Sequence, residues 1–189
     1  MIGSRTSRNA QHGFTLLEAV VVLGITMVLA VVAVPVSTRM VNNARGDSAQ
    51  VMAATFMESA RNQAVAERRN IELVFDEPSA MQMVRIEVPS GARTTIGEFV
   101  LEGNQEFLLV DGVPDTPDAY GDADAITFTG TAPVMFTSDG SLIDSAGDVT
   151  NASIFIARRG EPDTARAITI SGVTGMLKSW KWRGSEWQQ

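Results

Sequence analysis

The stretch QHGFTLLEAVVVLGITMVLAVVAVPV, Gln11–Val36, decides how this chain is read. From Phe14 to Val36 the only ionisable side chain is Glu18, and the next charge is Arg39. A helical run of that length, rising about 1.5 Å per residue, crosses the hydrocarbon core of a bilayer. Arg5 and Arg8 precede it. Basic flanks stay in the cytoplasm, so the N-terminus is expected inside and the remainder of the chain outside. The carboxylate at position 18 is the anomaly. At membrane depth it costs on the order of a few kcal/mol, lessened where the side chain can reach back to the interface.

Three readings compete for this segment. A secretory signal would have a short apolar region and a cut after small residues, and Val31-Val32-Ala33 offers one. The run is long for that purpose, and Glu18 is left without a role. A plain membrane anchor explains the length and the flanking charges but again leaves Glu18 without a purpose. The third reading rests on the spelling Gly13-Phe14-Thr15-Leu16-Leu17-Glu18 after a short basic leader.

That spelling resembles the class III signal of type IV pilins and of type II secretion pseudopilins. The resemblance implies cleavage by a prepilin peptidase between Gly13 and Phe14. It also implies N-methylation of Phe14 and a need for Glu18 in assembly. Pro35 matches the helix-bending proline of many pilins. Physical chemistry is consistent with these roles. Cleavage would create an ammonium at Phe14, one helical turn from Glu18. In a bundle of such helices Glu18 can meet the ammonium of a neighbouring subunit, so the pair would set register more than stability. Pro35 cannot donate to the carbonyl of Val31, which predicts a bend there.

Beyond Pro35 the chain stays helix-compatible to about Arg69, with Gly46 the weak point. Ala49, Met52, Ala53, Phe56, Ala60 and Ala64 form one apolar stripe at helical spacing, expected to dock on a folded domain. From Ile71 the pattern changes to alternation. Residues 71–75, 81–88, 98–103, 106–110, 125–130, 133–138, 153–159 and 165–171 read as short strands between Gly, Pro and Asp turns. Strands so spaced suggest two antiparallel sheets or a partly closed barrel. The expected organisation is a leader at 1–13 and a transmembrane or filament-core helix at 14–41. The outer half of the helix follows at 42–70, then a β-rich head at 71–189. The fold class is α+β, pilin-like: a long N-terminal helix, apolar in its inner half and amphipathic in its outer half, followed by an antiparallel β-rich head.

The second half of the head resembles GspH/FimT-type minor pseudopilins, on Phe136, Gly140, Ile168, Ile170, Ser171 and Gly175. This implies a minor pseudopilin of a type II secretion system, or a minor type IV pilin, placed near the filament tip. Its partners would be prepilin peptidase, other pilin or pseudopilin subunits, and inner-membrane lipid before assembly. The implied location is the inner membrane, single-pass with a periplasmic head, then a periplasmic pseudopilus or an extracellular pilus. Many pilins close a C-terminal disulfide loop, which this chain, having no cysteine, cannot do.

Little in the sequence suggests catalysis. His12 is the only histidine, no phosphate-binding loop is spelled, and no enzymatic activity or cofactor is expected. The aspartate-rich segment Asp111–Ala125 has calcium-type oxygen ligands but not the EF-hand spacing, so it is read as a solvated turn and no metal site is expected. The tail alternates aromatic and basic residues, and Lys178, Lys181 and Arg183 are the candidates for contacting nucleic acid. Some FimT-type pilins bind DNA through Gly-Arg-x-Arg. The corresponding place here is Gly175-Met176-Leu177-Lys178, without the first arginine. The net charge is −7, and beyond Gly13 there are 13 basic and 22 acidic side chains, which opposes DNA binding. The competing expectation is that Trp180 and Trp182 complete the core of the head.

Overall fold

Alanine spacing explains how the helix meets the sheets. The computed structural model describes residues 15–121 and 124–189. Helix α1 spans Leu16–Glu67. The chain divides into an N-terminal unit that ends at Met40 and a C-terminal unit, Val41–Gln189. In the C-terminal unit the helix buries Ala49, Ala53, Met57, Ala60 and Ala64. These positions recur every three or four residues and carry mostly methyl groups, so the helix axis can lie close to a sheet. The expected stripe needs one exchange. Met52 is 42% exposed, and Met57 takes its place in the core. Phe56 is only partly buried and packs on Phe99, ring centres 5.5 Å apart. Gly46 is more than a weak point. A Cβ there would lie 3.1 Å from the carbonyl oxygen of Thr164, so glycine permits the close approach of the strand that carries Thr164, Glu161–Ser171.

Eleven strands are described: β1 Ile71–Asp76, β2 Ala80–Ile86, β3 Arg93–Val100, β4 Glu106–Phe107, β5 Ile126–Phe128, β6 Val134–Phe136, β7 Leu142–Ile143, β8 Ala152–Arg158, β9 Glu161–Ser171, β10 Met176–Trp182 and β11 Trp187–Gln188. They form two antiparallel sheets. One has the order β3-β2-β1-β6-β7, the other β11-β10-β9-β8-β4, with β5 also paired to β8. The partly closed barrel is therefore not formed. The third strand begins at Arg93 rather than Glu98, and Gly103 lies beyond it in a turn. The helix stops at Glu67, two residues short of the expected end.

The inner faces of both sheets and the helix enclose the main core, including Ile71, Leu73, Met81, Phe136, Ile154, Ile156, Ile168 and Ile170. Strand β8 is buried at six successive positions, Ala152 to Ala157. Both of its faces are covered, which accounts for its nearly continuous apolar spelling. The cover on the outer face is the segment between β4 and β5. Leu109, Val110 and Val113 pack there with Phe155, Ala157, Ala165, Ala167, Trp180, Trp182 and Trp187. The solvated-turn reading of Asp111–Ala125 is corrected for this part: Val113 and Thr116 are buried, because the loop closes an apolar sheet face that would otherwise meet water.

Candidate functional site

Thr15 begins the helix. Its hydroxyl accepts the backbone N–H of Glu18 at 3.2 Å, and its carbonyl accepts that of Ala19 at 3.1 Å. Thr-x-x-Glu is the capping pattern that satisfies free N–H groups at a helix start. The sequence reading assigned Glu18 to assembly and overlooked Thr15, although Thr15 lies three residues before a glutamate at the edge of an apolar run. Gly13 and Phe14, the expected cleavage and methylation positions, lie outside the described residues. Glu18 is exposed in the first helical turn. The helix continues through Pro35.

Every residue from Thr15 to Val41 whose burial is described is exposed. This includes Leu16, Leu17, Val20, Leu23, Ile25, Met27, Val28, Leu29 and Val31. The helix is long and apolar enough to cross a membrane. Its hydroxyls are satisfied within the helix: Thr26 donates to Leu23 O, Ser37 to Ala33 O and Thr38 to Val34 O. Such bonds leave a surface that hydrocarbon tolerates. Each large aliphatic side chain removed from water gains roughly 1.5–3 kcal/mol. Over this many residues the gain far exceeds the few kcal/mol on the order of which one terminal carboxylate costs. The segment is built to enter lipid or a bundle of apolar helices.

Residues 8–34 match the prokaryotic N-terminal methylation motif. The match covers the Gly13-Phe14 junction, Glu18 and most of the apolar run. Among solved structures, the chain is similar to the type IV minor pilin FimU of Pseudomonas aeruginosa. The alignment has 16% identity over 76% of this chain and 97% of that one, with a TM-score of 0.49. It is also similar to the minor pseudopilin EpsH from the type 2 secretion system of Vibrio cholerae, with 13% identity over 71% and 94% and a TM-score of 0.47. No curated protein sequence matches the chain.

The candidate nucleic-acid residues of the tail are engaged within the fold. Lys178 Nζ lies 2.6 Å from Asp118 Oδ1, and Lys181 Nζ lies 2.7 Å from Asp47 Oδ2. Arg183 Nε donates to Gln188 Oε1 at 3.1 Å. The two lysines leave opposite faces of β10, as strand alternation requires. Lys178 fastens the covering loop and Lys181 fastens the helix. Trp180 and Trp182 are buried, the arrangement expected if they complete the core.

These pairings set the local electrostatics. Burial opposes ionisation of Asp47, but hydrogen bonds and charges from Lys181 and Arg166 outweigh it and hold its pKa below the usual carboxylate value. Arg166 is fully buried, with Nε 2.7 Å from Asp47 Oδ1 and further bonds to the carbonyls of Asn43, Asp163 and Ala165. Burial likewise opposes ionisation of Asp118, and Lys178 and Thr169 overcome it, so its pKa is also lowered. Lys178 is raised in turn by its bond to Asp118. In the same loop, Asp115 accepts the backbone N–H groups of Thr116 and Gly121. Among the described residues, no three acidic or histidine side chains converge as a metal site would need.

Proposed function

We propose that this chain is a minor type IV pilin or a minor pseudopilin of a type II secretion system. It is cut between Gly13 and Phe14 by prepilin peptidase and methylated on Phe14. It is held in the inner membrane as a single-pass protein with a cytoplasmic N-terminus and a periplasmic head. Assembly then transfers the apolar helix from lipid into the filament core, with Pro35 bending it. Glu18 pairs with the Phe14 ammonium of a neighbouring subunit.

One observation carries this reading: the methylation motif at 8–34 covers an exposed apolar run whose single carboxylate, Glu18, sits one turn from the expected cut. A membrane anchor alone requires no carboxylate there, whereas a staggered bundle of cleaved helices gives it a partner. The alternative, a DNA-binding pilin of a competence pilus, has weaker grounds. Lys178 and Lys181 already face aspartates, and phosphate would have to displace both.

Mass spectrometry of the chain produced together with prepilin peptidase tests the processing. The expected mature N-terminus is N-methyl-Phe14. A chain that still starts at Met1, or one that starts near Val34, refutes the proposal.

A further inference from the structure

Arg45 and Glu102 line one cleft of about 430 Å³ in the C-terminal unit, together with Ser48, Met52, Gly103 and Asn104. Both charged residues are exposed, and among the described residues neither side chain has a hydrogen-bond or ion-pair partner. They do not pair with each other. The arginines beside the same turn are engaged, Arg158 by Glu161 at 3.4 Å and Arg159 by Glu106 at 2.8 Å. The fold commits backbone to this arrangement. Gly103 and Asn104 both have positive φ, 72° and 60°, and Gln105 N–H closes the turn on Glu102 O at 3.4 Å. Left-handed backbone at a non-glycine residue is unfavourable. A Cβ at Gly103 would lie 3.0 Å from Arg45 Cδ, so glycine lets the arginine stem lie across the turn. Met52, 42% exposed, gives the cleft an apolar wall.

A cation and a carboxylate that share a cleft without pairing complement a ligand that carries both charges. A plain anion would meet the like charge of Glu102, and a plain cation that of Arg45. We infer that the cleft binds the phosphoethanolamine headgroup of a phospholipid. The phosphate accepts from the Arg45 guanidinium, with the Ser48 hydroxyl and the Asn104 amide as further donors. The ammonium donates to Glu102, and the two methylenes between the charges lie against Met52. Chain length argues for lipid as the source. A hydrocarbon core of about 30 Å takes about 20 helical residues, which from Glu18 reaches Thr38. The headgroup layer adds about 5–7 Å, or roughly four to five residues more. Arg45 follows Thr38 by seven residues in the same helix, and its long side chain spans the remainder. For the membrane as that source, the inference rests on the function proposed above.

Glycerophosphoethanolamine, the soluble headgroup, is the first probe. It is titrated into the full-length chain in maltoside micelles while the Arg45 Nε–H and Asn104 side-chain NH2 resonances are followed by NMR. A saturable shift is expected. Glycerophosphocholine, whose trimethylated ammonium cannot donate a hydrogen bond, and glycerol 3-phosphate, which has no ammonium, should bind about tenfold more weakly or worse. Arg45→Gln should lose the Asn104 response, and Glu102→Gln should lose the preference for ethanolamine over choline. Both side chains are exposed, so neither variant should change the melting temperature. Equal responses to the three probes, a strongest response to glycerol 3-phosphate, or no response overturns the inference, and this comparison needs no variant to fold. Native mass spectrometry from micelles holding equal phosphatidylethanolamine, phosphatidylcholine and phosphatidylglycerol tests the source. The wild type should retain phosphatidylethanolamine and Arg45→Gln should not. Headgroup selectivity without lipid retention would overturn the membrane as the source. Lipid retention by a chain that prepilin peptidase does not process would leave the cleft and remove the filament reading. Processing without headgroup selectivity would do the reverse.

Discussion

Gly175 has φ +61°, and a Cβ there would overlap the carbonyl oxygen of Gly140. Gly140, at φ +84°, offers that same carbonyl to Arg61 Nε at 3.0 Å, and Arg61 also holds Thr174 O at 3.0 Å. Two turns distant in sequence are thus clamped to the helix through one guanidinium. The sequence suggested Gly140 and Gly175 only as matches to a family pattern. Their physical reason, two backbones pressed together, needed the fold. Gly175→Ala should therefore cost roughly 2–4 kcal/mol, strain and overlap combined. Gly147→Ala is the control. Its φ is +89° with open space around it, so the loss should stay near about 1–2 kcal/mol. Urea denaturation of both variants checks the difference, and equal losses would show that the overlap relaxes.

At the scale of elements, the legible features were those with a period. Alternation marked β1, β2, β6 and β9, a short apolar run marked β8, and the 3.6-residue stripe marked the docking face of the helix. Strands β7 and β11 have two residues each, too few to alternate. The start of β3, Arg93-Thr94-Thr95, is exposed and carries no apolar position to count. The covering loop was misjudged because its aspartates and prolines outnumber Val113 and Thr116, the residues that bury. Its fastening can be tested through pH. Trp180 Nε1 donates to Thr169 Oγ1 at 3.0 Å, Thr169 to Asp118 Oδ2 at 2.6 Å, and Lys178 to Asp118 Oδ1. The folded pKa of Asp118 lies below its unfolded value, near about 4. Its contribution to stability is therefore present above about pH 4 and is lost as pH falls through the lowered folded pKa. Asp47 acts in the same direction, and so does Asp139, lowered to about 2 by hydrogen bonds from Thr137 and Ser141. Asp118→Asn should lower the urea midpoint at neutral pH. It should also shrink the drop between about pH 6 and pH 3, because one acid-sensitive group is gone. An unchanged drop would mean that Asp118 titrates alike folded and unfolded.

At the scale of the whole molecule, the chain combines two solutions to apolar surface. The C-terminal unit buries its own, even on the outer face of a sheet. The helix from Leu16 to Met40 leaves its surface exposed for another environment to cover. Sequence made that division plain, because a long apolar run with one carboxylate cannot be mistaken for an alternating one. The buried Arg166 was not legible, since the Asp47 carboxylate and Asn43 carbonyl that receive it lie on the helix, far away in the chain. Glu18→Val separates the two solutions. The substitution removes the carboxylate from the apolar run, so insertion into the membrane should be unimpaired. Among the described residues, every hydrogen bond and ion pair that fastens the head's helix to its sheets begins at Asn42 or later, so the melting temperature of the head should not change. Under the proposed function, recovery of the variant in purified filaments should fall sharply, since the neighbouring Phe14 ammonium would be buried without its counter-charge. An unpaired buried charge costs about 3–5 kcal/mol, enough to exclude a subunit from a regular array. Quantitative immunoblotting of sheared filaments against the membrane fraction measures it. Equal incorporation of wild type and Glu18→Val would show that Glu18 sets no register and that the apolar surface alone directs assembly.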